Sequence, residues 1–146
     1  HVSIGRGIMS QETMFRDAVD ELRARGSRFA REAYVFVVAA LGETVRALPA
    51  ARLDDPERRH LSGYELTVGV VRIAREEFGS LAPMVFHEWG VESTEDIGAI
   101  VFELVEAGQL SARPEDTMAD FAAGRMDLFG ALAEPTDSAP PFGLDA

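Results

Sequence analysis

The chain contains no cysteine and no lysine. The first absence excludes a disulfide framework, zinc-finger spacing and thiol catalysis, and it fits a reducing cytoplasm. The second removes the usual phosphate-loop cation and any Schiff-base chemistry. No apolar run approaches the roughly 18 residues of a membrane span, and no basic start, apolar core and small-residue cleavage site read as a signal peptide. Membrane insertion and secretion are not expected. Histidine is scarce as well: beyond His1 there are only His60 and His87. Neither has a second ligand at the spacing that puts two on one helix face. His87-Glu88 beside Trp89 therefore reads as surface, and no metal, cofactor or catalytic residue is nominated. No Gly-x-Ser-x-Gly elbow is present either. A non-enzymatic protein is the expectation.

What is present is arginine and acid. The 146 residues are 47% hydrophobic and 27% charged, the composition of one ordinary globular domain. The net charge is −11, and all 14 cations are arginine. Up to residue 80 there are 12 Arg against 12 acids, whereas residues 81–146 hold 2 Arg against 13 acids. The excess sits in the second part. A field of that sign opposes phosphate backbones, whose binding depends on cationic side chains displacing counterions.

Position 1 is His, as expected of a processed or tagged chain or of a natural start at Met9, and residues 1–10 are read as a flexible tail. From Gln11, Met14, Phe15, Ala18, Val19 and Leu22 recur at helical spacing. Ser27 is placed to cap a second helix over residues 28–48, apolar on every side from Tyr34 to Leu41, which reads as the centre of a core in preference to a dimer interface. Pro49, Asp54, Asp55 and Pro56 mark a loop. Ser62 and Glu65 have capping-box spacing and open a third helix, with Leu66, Val70, Ile73, Ala74 and Phe78 as its stripe and Gly79 as its stop. Ser80 is placed to cap a short fourth helix with Pro83 in its first turn, Val85 and Trp89 inward, and Gly90 as its end. Ser93 and Asp96 cap a fifth, whose Ile97, Ile100, Val101, Leu104 and Val105 face inward until Gly108. Beyond it, residues 109–113 and 118–129 read as a short β-hairpin across Pro114-Glu115-Asp116, while Thr117 and Asp120 equally fit the cap of a helical turn. Residues 131–146 read as a disordered tail.

The expected architecture is thus mainly α: a five-helix single domain over residues 11–130, with a winged helix-turn-helix-like part over 62–129. Topology is not function. The fifth helix, the reading head in a DNA binder, runs Thr94-Glu95-Asp96-Ile97 and on through Glu103 and Glu106 without a cation, so it repels phosphate. Glu95, Asp96, Gly98, Glu103 and Glu106 form the candidate partner interface. Gly98 stands inside a helix at a cost of about 1 kcal/mol relative to Ala, which calls for close approach. Trp89 or the second helix, or else a partner chain, would supply it. A second candidate is Arg58-Arg59-His60-Leu61-Ser62-Gly63, where two guanidinium groups and an imidazole precede a helix start that favours anions. Arg25, Arg28 and Arg31 would add charge if folded near. Against this, local acids Asp54, Asp55 and Glu57 are available as partners.

Several of these motifs resemble a known family. Arg28-Phe29, Ala33-Tyr34-Val35-Phe36-Val37, Arg59-His60-Leu61-Ser62-Gly63-Tyr64-Glu65-Leu66, Ala74-Arg75-Glu76-Glu77-Phe78-Gly79, Trp89-Gly90-Val91, Ser93-Thr94-Glu95-Asp96-Ile97-Gly98 and Ile100-Val101-Phe102-Glu103-Leu104-Val105-Glu106-Ala107-Gly108 together resemble the Minf_1886 family of small bacterial proteins. The resemblance spans roughly residues 14–129. It departs at Gly26, where Asp is usual, and at Ser80, where Pro is usual. The resemblance implies a compact bacterial domain and carries no activity or catalytic residue. The expected function is therefore a cytoplasmic protein-interaction or regulatory module that meets a basic protein surface, or a second copy of itself. The competing class is a small-anion or nucleotide binder using Arg58, Arg59, His60, Ser62 and Gly63.

Overall fold

In the computed structural model, which describes residues 2–4, 9–113, 116–122 and 126–134, hydrophobic periodicity becomes helix nearly throughout. Strand β1 (Val2–Ile4) precedes α1 (Met9–Ala24), α2 (Arg31–Arg46) and the single turn α3 (Ala50–Leu53). Then come α4 (Gly63–Phe78), a 3-10 turn at Gly79–Leu81, α5 (Ala82–Glu88) and α6 (Thr94–Glu106). Strand β2 (Leu110–Ala112), a 3-10 turn at Met118–Phe121 and α7 (Leu128–Ala133) are the last described elements. Beyond the five expected helices, the short α3 and α7 are additional. No helix among the described residues is long and apolar enough to cross a membrane.

Helix α2 lies at the centre because its apolar residues cover most of its circumference. It packs most extensively on α4 and also meets α1, α6 and β1. Ala33, Tyr34, Val37, Ala40 and Leu41 are buried, whereas Val35 on the far side is 50% exposed, so the helix is not apolar-buried all round. Opposite it stand Leu66, Val70, Ile73 and Ala74 of α4, and Ile97, Ile100, Val101 and Leu104 of α6, all buried. Fully buried side chains such as Leu41, Leu66 and Leu104 each contribute about 1.5–3 kcal/mol.

The local stop and start signals hold where they act within one turn. Ser62 and Glu65 make the reciprocal capping box of α4, and Ser93 accepts from the Asp96 amide at α6. Gly79, Gly90 and Gly108 all have positive φ. Gly90 has a second reason to be glycine, since a Cβ there would stand 2.7 Å from the Arg28 carbonyl oxygen.

Other expectations are corrected. Ser27 does not cap α2, whose N-cap is Ala30 with no side-chain cap. The Ala30 amide instead donates to the Trp89 carbonyl at 3.0 Å, and Ser27 Oγ bonds the Tyr34 hydroxyl. Ser80 lies within the 3-10 turn, and α5 begins without a side-chain cap, with Pro in its first turn. Ala82 and Phe86 form its buried face, while Val85 and Trp89 are partly buried. Among the described residues the expected β-hairpin is absent. β2 pairs antiparallel with β1, Ser3 opposite Ser111, so Val2–Ile4 is strand where a tail was expected. Residues 118–121 turn helically because Thr117 and Asp120 form a second capping box. Residues 114–115 and 123–125 of that hairpin, and 135–146 of the C-terminal tail, lie outside the described residues, while α7 takes residues 131–133.

Candidate functional site

At the loop-to-α4 junction the helix N-terminus already holds a carboxylate. Glu65 Oε1 accepts from the Ser62 amide at 2.9 Å, and Ser62 Oγ accepts from the Glu65 amide at 3.0 Å. Arg52 of α3 clamps that carboxylate with two donations, at 2.6 and 2.8 Å. The same guanidinium donates to the carbonyls of Arg58 and His60, which ties the loop to α3. Hydrogen bonding from Arg52, opposed by burial, holds the Glu65 carboxyl below its ordinary range. A bidentate guanidinium–carboxylate pair of this kind supplies orientation as well as attraction.

The predicted anion-binding residues are therefore separated in role. Ser62 is engaged in the cap, and Gly63 is buried beneath Asp120 and Phe121. Arg58 and Arg59 are exposed, and Arg58 lines an open groove with Arg52, Glu57, Ser62 and Glu65, where two carboxylates face it. Arg25, Arg28 and Arg31 are not gathered here, because they pair with Glu21, Asp96 and Asp20 respectively. Sequence reading missed Arg52. Its signal was the helical turn after Pro49 that carries it toward Glu65.

His60 turns inward. Its Nδ1 is buried with no hydrogen-bond partner, and burial first, then the charge of Arg113, lowers its affinity for a proton. Arg113 in turn donates to the Glu57 carbonyl at 2.7 Å and to its carboxylate at 3.1 Å, latching the loop to the end of β2. His60 and Glu65 both resist protonation more in the folded than in the unfolded chain. Stability should accordingly fall with acid in two steps. The first lies below pH 6.5, where the unfolded imidazole takes up a proton that the folded one resists, and the second below 4.5 for the carboxyl. Each loss levels off beneath the folded value. Urea melts across pH check this: His60→Gln should lack the upper step and keep the lower, and an upper step that survives the substitution would assign it elsewhere.

The acids of α6 also divide. Asp96 is 8% exposed and accepts from the Glu92 amide at 2.8 Å and from Arg28. Gly98 is buried against its own chain, where a Cβ would meet Phe121 at 2.7 Å, so the close approach comes from Phe121 and not from Trp89, the second helix or a partner. Glu95 and Glu106 are exposed. Glu103 accepts from the hydroxyl of Tyr34, a fully buried phenol that desolvation, aided by Glu103, pushes up to about 12. That proton stays in place and aims the carboxylate. Glu103 and Glu106 border a groove between α1 and α6 whose other walls are Ala18, Glu21, Leu22, Arg25 and Ala107. Glu21 is tied to Arg25 at 2.7 Å. Glu103 and Glu106 have no cationic partner among the described residues, and the apolar side chains of Ala18, Leu22 and Ala107 share the lining with them.

His87 is exposed and pairs with Glu92 at 3.2 Å. Trp89 packs against Phe36, Phe78 and Phe86. Among the described residues no three ligating side chains gather to hold a metal ion. Comparison with family models, curated proteins and solved structures finds no match for the chain.

Proposed function

We propose that the protein is a non-enzymatic interaction module that receives a basic segment of a partner protein in the α1–α6 groove. The observation that carries this is that Glu103 and Glu106, without a cationic partner among the described residues, share one groove with the apolar side chains of Ala18, Leu22 and Ala107. An arginine or lysine side chain has the matching form, an aliphatic stem with a cationic head. The net charge of −11 adds long-range attraction, which acts on encounter rate and salt sensitivity more than on affinity. On this reading α4, α5 and α6 keep helix-turn-helix order as a scaffold, without a wing hairpin among the described residues, since α6 turns most of its residues to the core. Membership of the Minf_1886 family, proposed on the motifs above, would place the module in bacteria.

Fluorescence anisotropy with a labelled arginine-rich peptide tests the proposal. Binding is expected at low salt and should weaken as salt rises. Glu106→Arg should weaken it about tenfold, a loss of about 1.4 kcal/mol, and more than Glu77→Arg, which changes net charge equally on an exposed face of α4. No binding at low salt, or equal losses from the two variants, would sink it. The second reading is an anion held by Arg58 and Arg59, whose exposed guanidinium groups have no side-chain partner among the described residues. Inorganic phosphate should then raise the melting temperature, and less so in Arg58→Ala.

A further inference from the structure

On the other side of α1 lies a groove of different character. Phe15 and Val19 of α1 and Val35 of α2 line it, with Glu12, Arg16 and Arg31 at its rim. Val35 is 50% exposed although it sits in the central helix of the core. Arg31 is tied to Asp20 at 2.6 Å. Glu12 and Arg16, both exposed and one turn apart on the stripe that also carries Phe15 and Val19, have no ion pair among the described residues.

We infer that this face is where a second copy of the chain docks, with α1 antiparallel to α1 of the partner. A two-fold axis crossing between positions 12 and 16 sets Glu12 of each copy opposite Arg16 of the other. A two-fold interface uses one patch twice, so it must be complementary to itself. The patch here meets that demand: an acid and a base equally spaced from the axis, beside the exposed Val35 and the partly buried Phe15, which the other copy covers, while Val19 beneath them belongs to the chain's own core. An unrelated partner would have to present the reversed charge pair at the same spacing, whereas a second copy presents it by symmetry. This surface is separate from the α1–α6 groove, and neither reading depends on the other.

Sedimentation equilibrium of the full chain over a range of concentrations provides the test. The wild type is expected to associate to dimers, and Val35→Asp to weaken association at least about tenfold, the effect of about 1.4 kcal/mol. Arg16→Glu alone and Glu12→Arg alone each set like charges across the axis, and each is expected to be monomeric. An equimolar mixture of the two should dimerise, because both cross-axis pairs are then complementary. Circular dichroism verifies that each variant is helical, and these exposed positions leave the core untouched. A wild type that stays monomeric at every concentration overturns the inference. So does a dimer indifferent to Val35→Asp, or a mixture of folded charge variants that remains monomeric.

Discussion

Phe121→Ala is expected to destabilise the protein by about 3–5 kcal/mol, the range for emptying a buried aromatic site. Phe121 is 2% exposed and closes the 3-10 turn over the starts of two helices. A Cβ on Gly98 would lie 2.7 Å from its Cγ, and one on Gly63 would lie 3.0 Å from its ring and 2.8 Å from the Asp120 Cβ. The ring occupies a slot that exists because both neighbours lack side chains. Thr94 Oγ1 holds the Phe121 carbonyl at 2.8 Å, and Phe102 meets the ring edge-on at 6.2 Å. Losing the ring leaves a cavity that α4 and α6 cannot close without giving up their own packing. The reciprocal change, Gly98→Ala, overfills the slot against the base of the phenylalanine and should cost about 1–3 kcal/mol. In the double variant the contacts with the ring atoms Cγ and Cδ2 are gone and only the Cβ of residue 121, at 2.8 Å, still meets the new methyl, so the two losses should sum to less than their separate values. Urea denaturation of the three variants measures this. Strict additivity, or a Phe121→Ala loss under about 1 kcal/mol, would remove the slot from the account.

Phe36→Ala should rank next, with a loss of about 3 kcal/mol. Phe36 reaches from α2 to Phe78, Phe86 and Trp89, with ring centroids at 5.6, 5.8 and 5.5 Å. Trp89 also stacks on Phe86 at 5.4 Å and meets Phe78 edge-on at 5.7 Å. The four rings tie α2 and α4 to α5, and aromatic pairs add about 0.5–1.5 kcal/mol beyond area burial. The lower end of the range applies because Phe36 is only partly buried. Trp89 is the sole tryptophan, so its emission reports on the cluster directly. A red shift in folded Phe36→Ala is expected as water reaches the indole, while Phe36→Leu should cost less than about 1.5 kcal/mol and shift little. Unchanged emission in Phe36→Ala would mean that Phe36 does not shield the indole.

The helices and most of their ends were legible because their causes lie within a few residues of one another. Leu66, Val70, Ile73 and Ala74 show their stripe by spacing alone, and Ser62–Glu65 is a cap that closes across three residues. The Thr117–Asp120 cap was visible too, but so was a hairpin, and local pattern does not choose between them. The choice came from packing, which drew Phe121 into the slot between Gly63 and Gly98. Ser27 shows the same limit. It has the chemistry of a cap, yet the chain there runs beside residues 89–90, the Ala30 amide finds the Trp89 carbonyl, and Ser27 bonds Tyr34 instead.

The candidate site was legible in composition and not in position. Acid excess after residue 80 is plain in the sequence, but which acids face outward is not. Asp96 and Glu103 are drawn to Arg28 and Tyr34, 68 and 69 residues away, and only Glu95 and Glu106 of the nominated acids stay exposed. The N-terminus of α4 looked open to an anion until Arg52 and Glu65 were seen to occupy it. By itself, then, the sequence determined helix content, caps and charge, because those follow from hydrogen bonds and side-chain periodicity within one or two turns. The tertiary structure alone decided that β1 meets β2, that Phe121 fills two glycine positions, and that Glu103 and Glu106 share a groove with α1. Those partners lie far apart in the chain, and burial of apolar surface brings them together.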